Sequence, residues 1–153
     1  MPWFGGRSSN RVDKPMILRE IELQLPAIVQ VNSQRLNWPG TPTGIYGEAA
    51  AGQTQGTTDY GILVLFETDG RVVAISTTNN SFWMGSWIAG KIEATYVNQH
   101  ATTGTLNLQL ATDGSYVTGT WRVRSDAGNY IAYRTAGFDQ ETVMQKLAAI
   151  PVR

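Results

Sequence analysis

A single histidine, His100, and no cysteine stand among the 153 residues, and those two counts narrow the available chemistry. Without thiols there is no disulfide, no thiolate nucleophile and no thiolate metal ligand. A zinc ion would have to take carboxylates for most of its ligands, so no metal site is expected. His100 lies in Asn98-Gln99-His100-Ala101-Thr102. It has the residue type of a general base at neutral pH, with Glu93 or Asp113 as the carboxylate that assists it. A solvated turn histidine accounts for the same residues. Gly85-Ser86-Trp87 lacks the second glycine of a nucleophile elbow. Glu20, Glu22, Glu67 and Glu93 fall on predicted strands, but nothing in their spacing pairs two of them across a cleft. Neither G-x-G-x-x-G nor a Walker motif occurs, which leaves no phosphate cradle. The catalytic set therefore reduces to His100 with Glu93, no cofactor is expected, and a non-catalytic domain is the first reading.

The richest cluster is aromatic. Phe82-Trp83-Met84-Gly85-Ser86-Trp87 follows the polar run Thr77 to Ser81, and Tyr96, Tyr116 and Trp121 lie on neighbouring predicted strands. Indole and phenol rings present a flat apolar face with one polar handle, suited to a ring-containing ligand or a sugar, while nearby Asn and Thr supply directional hydrogen bonds. Trp83, Trp87, Tyr96 and Trp38 are the candidate ligand-binding residues, with ordinary core packing as the competing reading. Tyr116, Arg122 and Arg124 share one strand face, a pattern that fits single-stranded nucleic acid. Twelve basic against twelve acidic residues leave no net charge to hold a polyanion, and nucleic acid is not an expected partner.

The elements that must position these side chains are mostly strands. Sixteen glycines, abundant Thr and Asp-Gly pairs supply turns, and long Ala/Leu/Glu/Lys runs are absent. Residues 1–15 read as a flexible N-terminal arm, and 16–153 as one domain. Ile21, Leu23 and Leu25 alternate with Glu22 and Gln24, which predicts a strand over Arg19 to Leu25 that Pro26 ends; Ala27 to Val31 reads as a further strand or its continuation. Residues 32–60 show no period, and a connection this long points to function or to concealed strand pieces. Ile62 to Glu67, Thr68-Asp69-Gly70 and Arg71 to Thr77 form a hairpin. Its first strand is apolar on both faces, so an interior must cover one side and a helix, loop or second subunit the other. Lys91 to Val97 reads as a strand with Ile92, Ala94 and Tyr96 on one side. A second hairpin runs from Thr103 to Arg124 about Asp113-Gly114, and a last strand from Tyr130 to Thr135. The end is helical over 139–150: Asp139 caps it, Phe138 and Val143 have staple spacing, and Val143, Met144, Leu147 and Ile150 form one stripe.

Seven or eight short antiparallel strands predict an all-β domain with one short C-terminal helix, as a small up-and-down barrel or alternatively a β-sandwich. The segment Thr103 to Arg134, with Asp113-Gly114, Gly119-Thr120-Trp121 and Arg134 closing the next strand, is similar to the closing hairpins of small lipocalin-like and avidin-like barrels. The resemblance implies the barrel architecture and carries no binding residue with it. The functional expectation is a small-molecule-binding barrel with an aromatic mouth or interior. The alternatives are a structural or interaction subunit of an oligomer, and a small barrel enzyme using His100 with a carboxylate for proton transfer. No apolar run approaches the roughly twenty residues of a membrane-spanning helix. Met1 to Asn10 lacks the basic-then-apolar order of a secretory signal, so a soluble cytoplasmic protein is expected.

Overall fold

The computed structural model describes residues 12–49 and 61–152. Eight strands form a closed barrel in sequence order: β1 (Gly44–Glu48), β2 (Ile62–Thr68), β3 (Arg71–Ser76), β4 (Ser81–Ile88), β5 (Lys91–Val97), β6 (Thr103–Leu110), β7 (Tyr116–Val123) and β8 (Asp126–Arg134). Every neighbouring pair is antiparallel, and β8 returns to β1 through Tyr46 opposite Arg134 and Glu48 opposite Ala132. Closure leaves no open sheet edge. Asp69 and Gly70, at φ 52° and 84°, make the turn between β2 and β3 with both central residues left-handed, the geometry that matches strand twist in a two-residue hairpin.

The expected strand over Arg19 to Leu25 is instead part of a helix, α1 (Lys14–Asn32). Its buried residues Ile17, Ile21, Leu25, Ile28 and Asn32 recur at steps of four, four, three and four, a helical stripe. Leu23, which the period of two had placed beside Ile21 and Leu25, is 72% exposed. Pro26 lies inside the helix rather than ending a strand, and Ala27 to Val31 continues the same helix. Asp13 caps the start by accepting from the Met16 N–H at 3.1 Å. The expected arm of 1–15 therefore already contributes Lys14 and Pro15 to α1; its residues 1–11 lie outside the described residues. Glu20, read as a strand residue, sits on α1 and pairs with Arg71 at 2.8 Å.

Two apolar cores result, one on each side of the barrel wall. Ile62 and Val64 point outward with Ile45, Val73, Ile75 and Phe82 against α1. Leu63 and Leu65 point inward with Val72, Leu108, Leu110 and Val117. The two-sided apolar strand is thus explained by a barrel interior on one face and a helix of the same chain on the other. The C-terminal helix α2 (Gln140–Ala148) joins the outer core through Val143 and Leu147, and the Asp139 carboxylate accepts from the Thr142 N–H at 2.7 Å. Each fully buried Ile or Leu of α1 contributes about 1.5–3 kcal/mol relative to exposure, which holds α1 against β1 to β4. Among the described residues no helix is long and apolar enough to cross a membrane.

Candidate ligand cavity

The two ends of the barrel are built differently. At the end carrying the β2–β3, β4–β5 and β6–β7 turns, a 3-10 helix (Arg35–Gly40) carries Trp38, which is buried. The indole N–H donates to the Asn32 carbonyl at 2.9 Å. Arg134, buried at the end of β8, lies over the rings of Trp38 and Tyr46 at 5.2 and 5.0 Å. Its guanidinium donates to the carbonyls of Gly114, Thr43, Trp38 and Thr41 at 2.8–3.1 Å. Burial lowers its pKa. One side chain thereby ties the 3-10 helix, the approach to β1 and the β6–β7 turn to β8, and this end is plugged. Asn32 adds a second tie: its Nδ2 donates to the Thr135 carbonyl at 2.8 Å and its Oδ1 accepts from the Ile45 N–H at 3.0 Å.

The other end opens into a cavity of about 590 Å³. Trp83, Tyr96, Leu106, Trp121 and Tyr130 form its apolar wall, and Glu48, Ser76, Thr78, Ser81, Asn98 and Asp126 its polar surface. Trp83 meets Tyr130 edge to face, with ring centres 5.5 Å apart and planes at 73°. Two glycines make room for the remaining rings. Gly104 faces Tyr96 and Gly128 faces Trp121 across the strand pairs. A Cβ at Gly104 would stand 2.7 Å from the Tyr96 ring, and one at Gly128 2.5 Å from the Trp121 ring. Each ring therefore lies over the bare backbone of the next strand instead of projecting across the lumen.

Glu48, the last residue of β1, is 1% exposed and carries the deepest charge of the cavity. Oε2 accepts from Ser76 Oγ at 2.6 Å and from the Tyr130 hydroxyl, and Oε1 from Thr78 Oγ1 at 2.6 Å and the Thr78 N–H at 3.4 Å. Burial raises the Glu48 carboxyl above its ordinary value, and the hydrogen bonds from Ser76, Thr78 and Tyr130 act the other way. Burial, and then the neighbouring Glu48 charge, push the Tyr130 hydroxyl up as well. Asp126 lies at the rim on the first residue of β8.

The four aromatic candidates separate. Trp83 and Tyr96 line the cavity. Trp87 packs partly buried against the inner core, but near the β4–β5 turn, where its backbone N–H donates to the Gly70 carbonyl at 2.8 Å toward the plugged end. Trp38 is the plug itself, at the end of the barrel opposite the cavity. His100 is exposed in the β5–β6 turn, within 3.4 Å of the Gln99 amide, and is not a lining residue. Glu93 is exposed on the outer face of β5 opposite Asn107, about 16 Å along the strand, at about 3.3 Å per residue, from Asn98, where the turn carrying His100 begins. They do not form a catalytic pair.

Reading by residue type missed Glu48, Ser76, Thr78 and Tyr130 as a group, because they converge from β1, β3, the β3–β4 turn and β8. Glu48 does fall in the aperiodic 32–60 stretch singled out for its length. That stretch holds the 3-10 helix and β1, and residues 50–60 of it lie outside the described residues. No protein-family model, curated protein or solved structure matches the chain.

Proposed function

We propose that this protein is a small-molecule-binding barrel whose ligand enters at the open end and rests among Trp83, Tyr96, Trp121 and Tyr130. The observation that carries this reading is the combination of an open lumen of about 590 Å³ with aromatic walls and a few convergent polar groups. Volume and lining of this kind suit a drug-sized organic molecule. The plugged opposite end makes the cavity a blind site rather than a channel. The alternatives have less to stand on. The outer apolar face of β2, which a partner subunit would have had to cover, is already covered by α1. The proton-transfer reading depends on His100, which is not among the cavity-lining residues and lies in the turn beyond the end of β5, most of a strand length from Glu93.

The test is native mass spectrometry of the protein as purified, followed by tryptophan fluorescence during titration with a panel of aromatic and alicyclic small molecules. The expected result is a retained small-molecule mass, or saturable quenching that disappears when Gly128→Leu fills the lumen. Absence of any retained mass together with unsaturable fluorescence across the panel would overturn the reading.

A further inference from the structure

Among the described lining residues of the cavity the charged side chains are Glu48 and Asp126, both carboxylates, and no Lys, Arg or His is present. Lys14 Nζ, on the helix side of the wall, lies 6.0 Å over the outward-facing Phe82 ring and donates to the Asn98 carbonyl at 3.2 Å. Among the described residues the one ion pair is Arg71–Glu20, on the outer surface. Among the described residues Glu48 is therefore a buried carboxylate held by neutral donors, and a charge so placed attracts a counter-charge far more strongly than one in water.

We infer that the natural occupant is an organic cation, its charge beside Glu48 and its hydrocarbon against Trp83, Trp121 and Tyr96, a conclusion that rests on the ligand-binding reading above. The hydrogen-bond arrangement narrows the class further. Hydroxyls of Ser76, Thr78 and Tyr130, together with the Thr78 N–H, already occupy the acceptor positions of the two carboxylate oxygens. A primary ammonium would have to displace them to donate, whereas a tertiary or quaternary ammonium needs only the field and the aromatic faces. Weakly hydrated cations of that kind are the ones that aromatic cages select.

The experiment compares two probes of one shape, 3-hydroxyphenyltrimethylammonium and its neutral isostere 3-tert-butylphenol, by isothermal titration on the full chain at neutral pH. Wild type should bind the cation at least about tenfold more tightly. Glu48→Gln should bring the two to near parity, through loss of cation affinity rather than gain of 3-tert-butylphenol affinity. Asp126→Asn, at an exposed position, should reduce the preference by a smaller factor. Equal or tighter binding of the phenol by wild type refutes the cation and leaves the binding barrel standing. Failure of both probes, with no retained mass in the native protein, removes both readings together.

Discussion

Replacing Arg134 with methionine isolates the plug, because the side chain keeps much of its length and loses its charge and all its donors. Four carbonyls, those of Gly114, Thr43, Trp38 and Thr41, lose their partner at once. Hydrogen bonds from a charged donor are worth about 1.5–3 kcal/mol each in net terms. They do not add, because the guanidinium also gives up water to be buried. Breaking one side of a buried charged network typically costs about 3–5 kcal/mol, and that range is the expected loss for Arg134→Met. For a chain of this size the melting midpoint falls by about 2–4 °C per kcal/mol, so a decrease on the order of 10 °C follows. Urea denaturation followed by far-ultraviolet circular dichroism, with a parallel thermal scan, measures both. Arg134→Lys should fall between wild type and Met, since a point charge with three donors cannot span carbonyls that a planar fork reaches. A loss under about 1 kcal/mol for Arg134→Met would refute the argument that this residue holds the plugged end, since that is the size of a single ordinary hydrogen bond.

Three further outcomes are expected. Ile21→Ala should cost about 2–5 kcal/mol, whereas Leu23→Gln, two residues away, should stay within about 0.5 kcal/mol, and equal losses in urea melts would contradict the helical stripe. Because burial raises the Glu48 carboxyl above its ordinary 4.5, between 4.5 and the raised value the folded chain holds a proton there that the unfolded chain has released. Stability must then fall as pH rises from about 4.5 through the raised value. Stability profiles should show this decline in wild type and not in Glu48→Gln. Asp113 and Asp139 are lowered, by the Ser115 hydroxyl and the Thr142 N–H respectively, so their contribution is lost in a separate window, as pH falls below 3.8. Gly128→Val should force the Trp121 ring off the wall and into the lumen, weakening every ligand of the proposed site by about tenfold or more, as equilibrium titration would show.

The parts of the fold that were legible in the sequence were those specified locally. Leu106, Leu108 and Leu110 alternate with polar residues and an Asp-Gly turn fixes their register, so the β6–β7 hairpin could be read directly. The same holds for the Asp139 cap with its Phe138–Val143 staple. The first helix escapes a local reading because five residues, Ile21 to Leu25, satisfy a period of two as well as part of a helical stripe, and Pro26 suits the end of a strand, a helix interior being a rare place for proline. A window from Ile17 to Asn32 separates the two periods. The last strand, expected from Tyr130, begins at Asp126, since the reversal is made by Arg124, left-handed at φ 55°, and Ser125. The site was only half legible. Aromatic type and strand parity were enough to find Trp83 and Tyr96, but the barrel end at which a tryptophan lies depends on strand lengths and closure, which is why Trp38 and Trp87 fell elsewhere. Glu48 carries no local signal, as its partners arrive from strands remote in sequence.

The coverage of the barrel by α1 is one-sided, and that asymmetry divides the cavity mechanically. Strands β1 to β4 are backed by helix along their outer faces, while the outer positions of β6 and β7, such as Thr105, Asn107, Gln109, Thr118 and Thr120, meet water. Amides of β2 and β3 should therefore exchange hydrogen only on global unfolding, and those of β6 and β7 through smaller openings. Glu48, Ser76 and Trp83 stand on the stiff half; Tyr96, Leu106 and Trp121 stand on the compliant half. The Glu48 carboxyl is held at a fixed point while the wall facing it can adjust, so that on the ligand-binding reading proposed above the recognition of a charge and the accommodation of the rest of the molecule would fall to opposite sides of the same ring of strands.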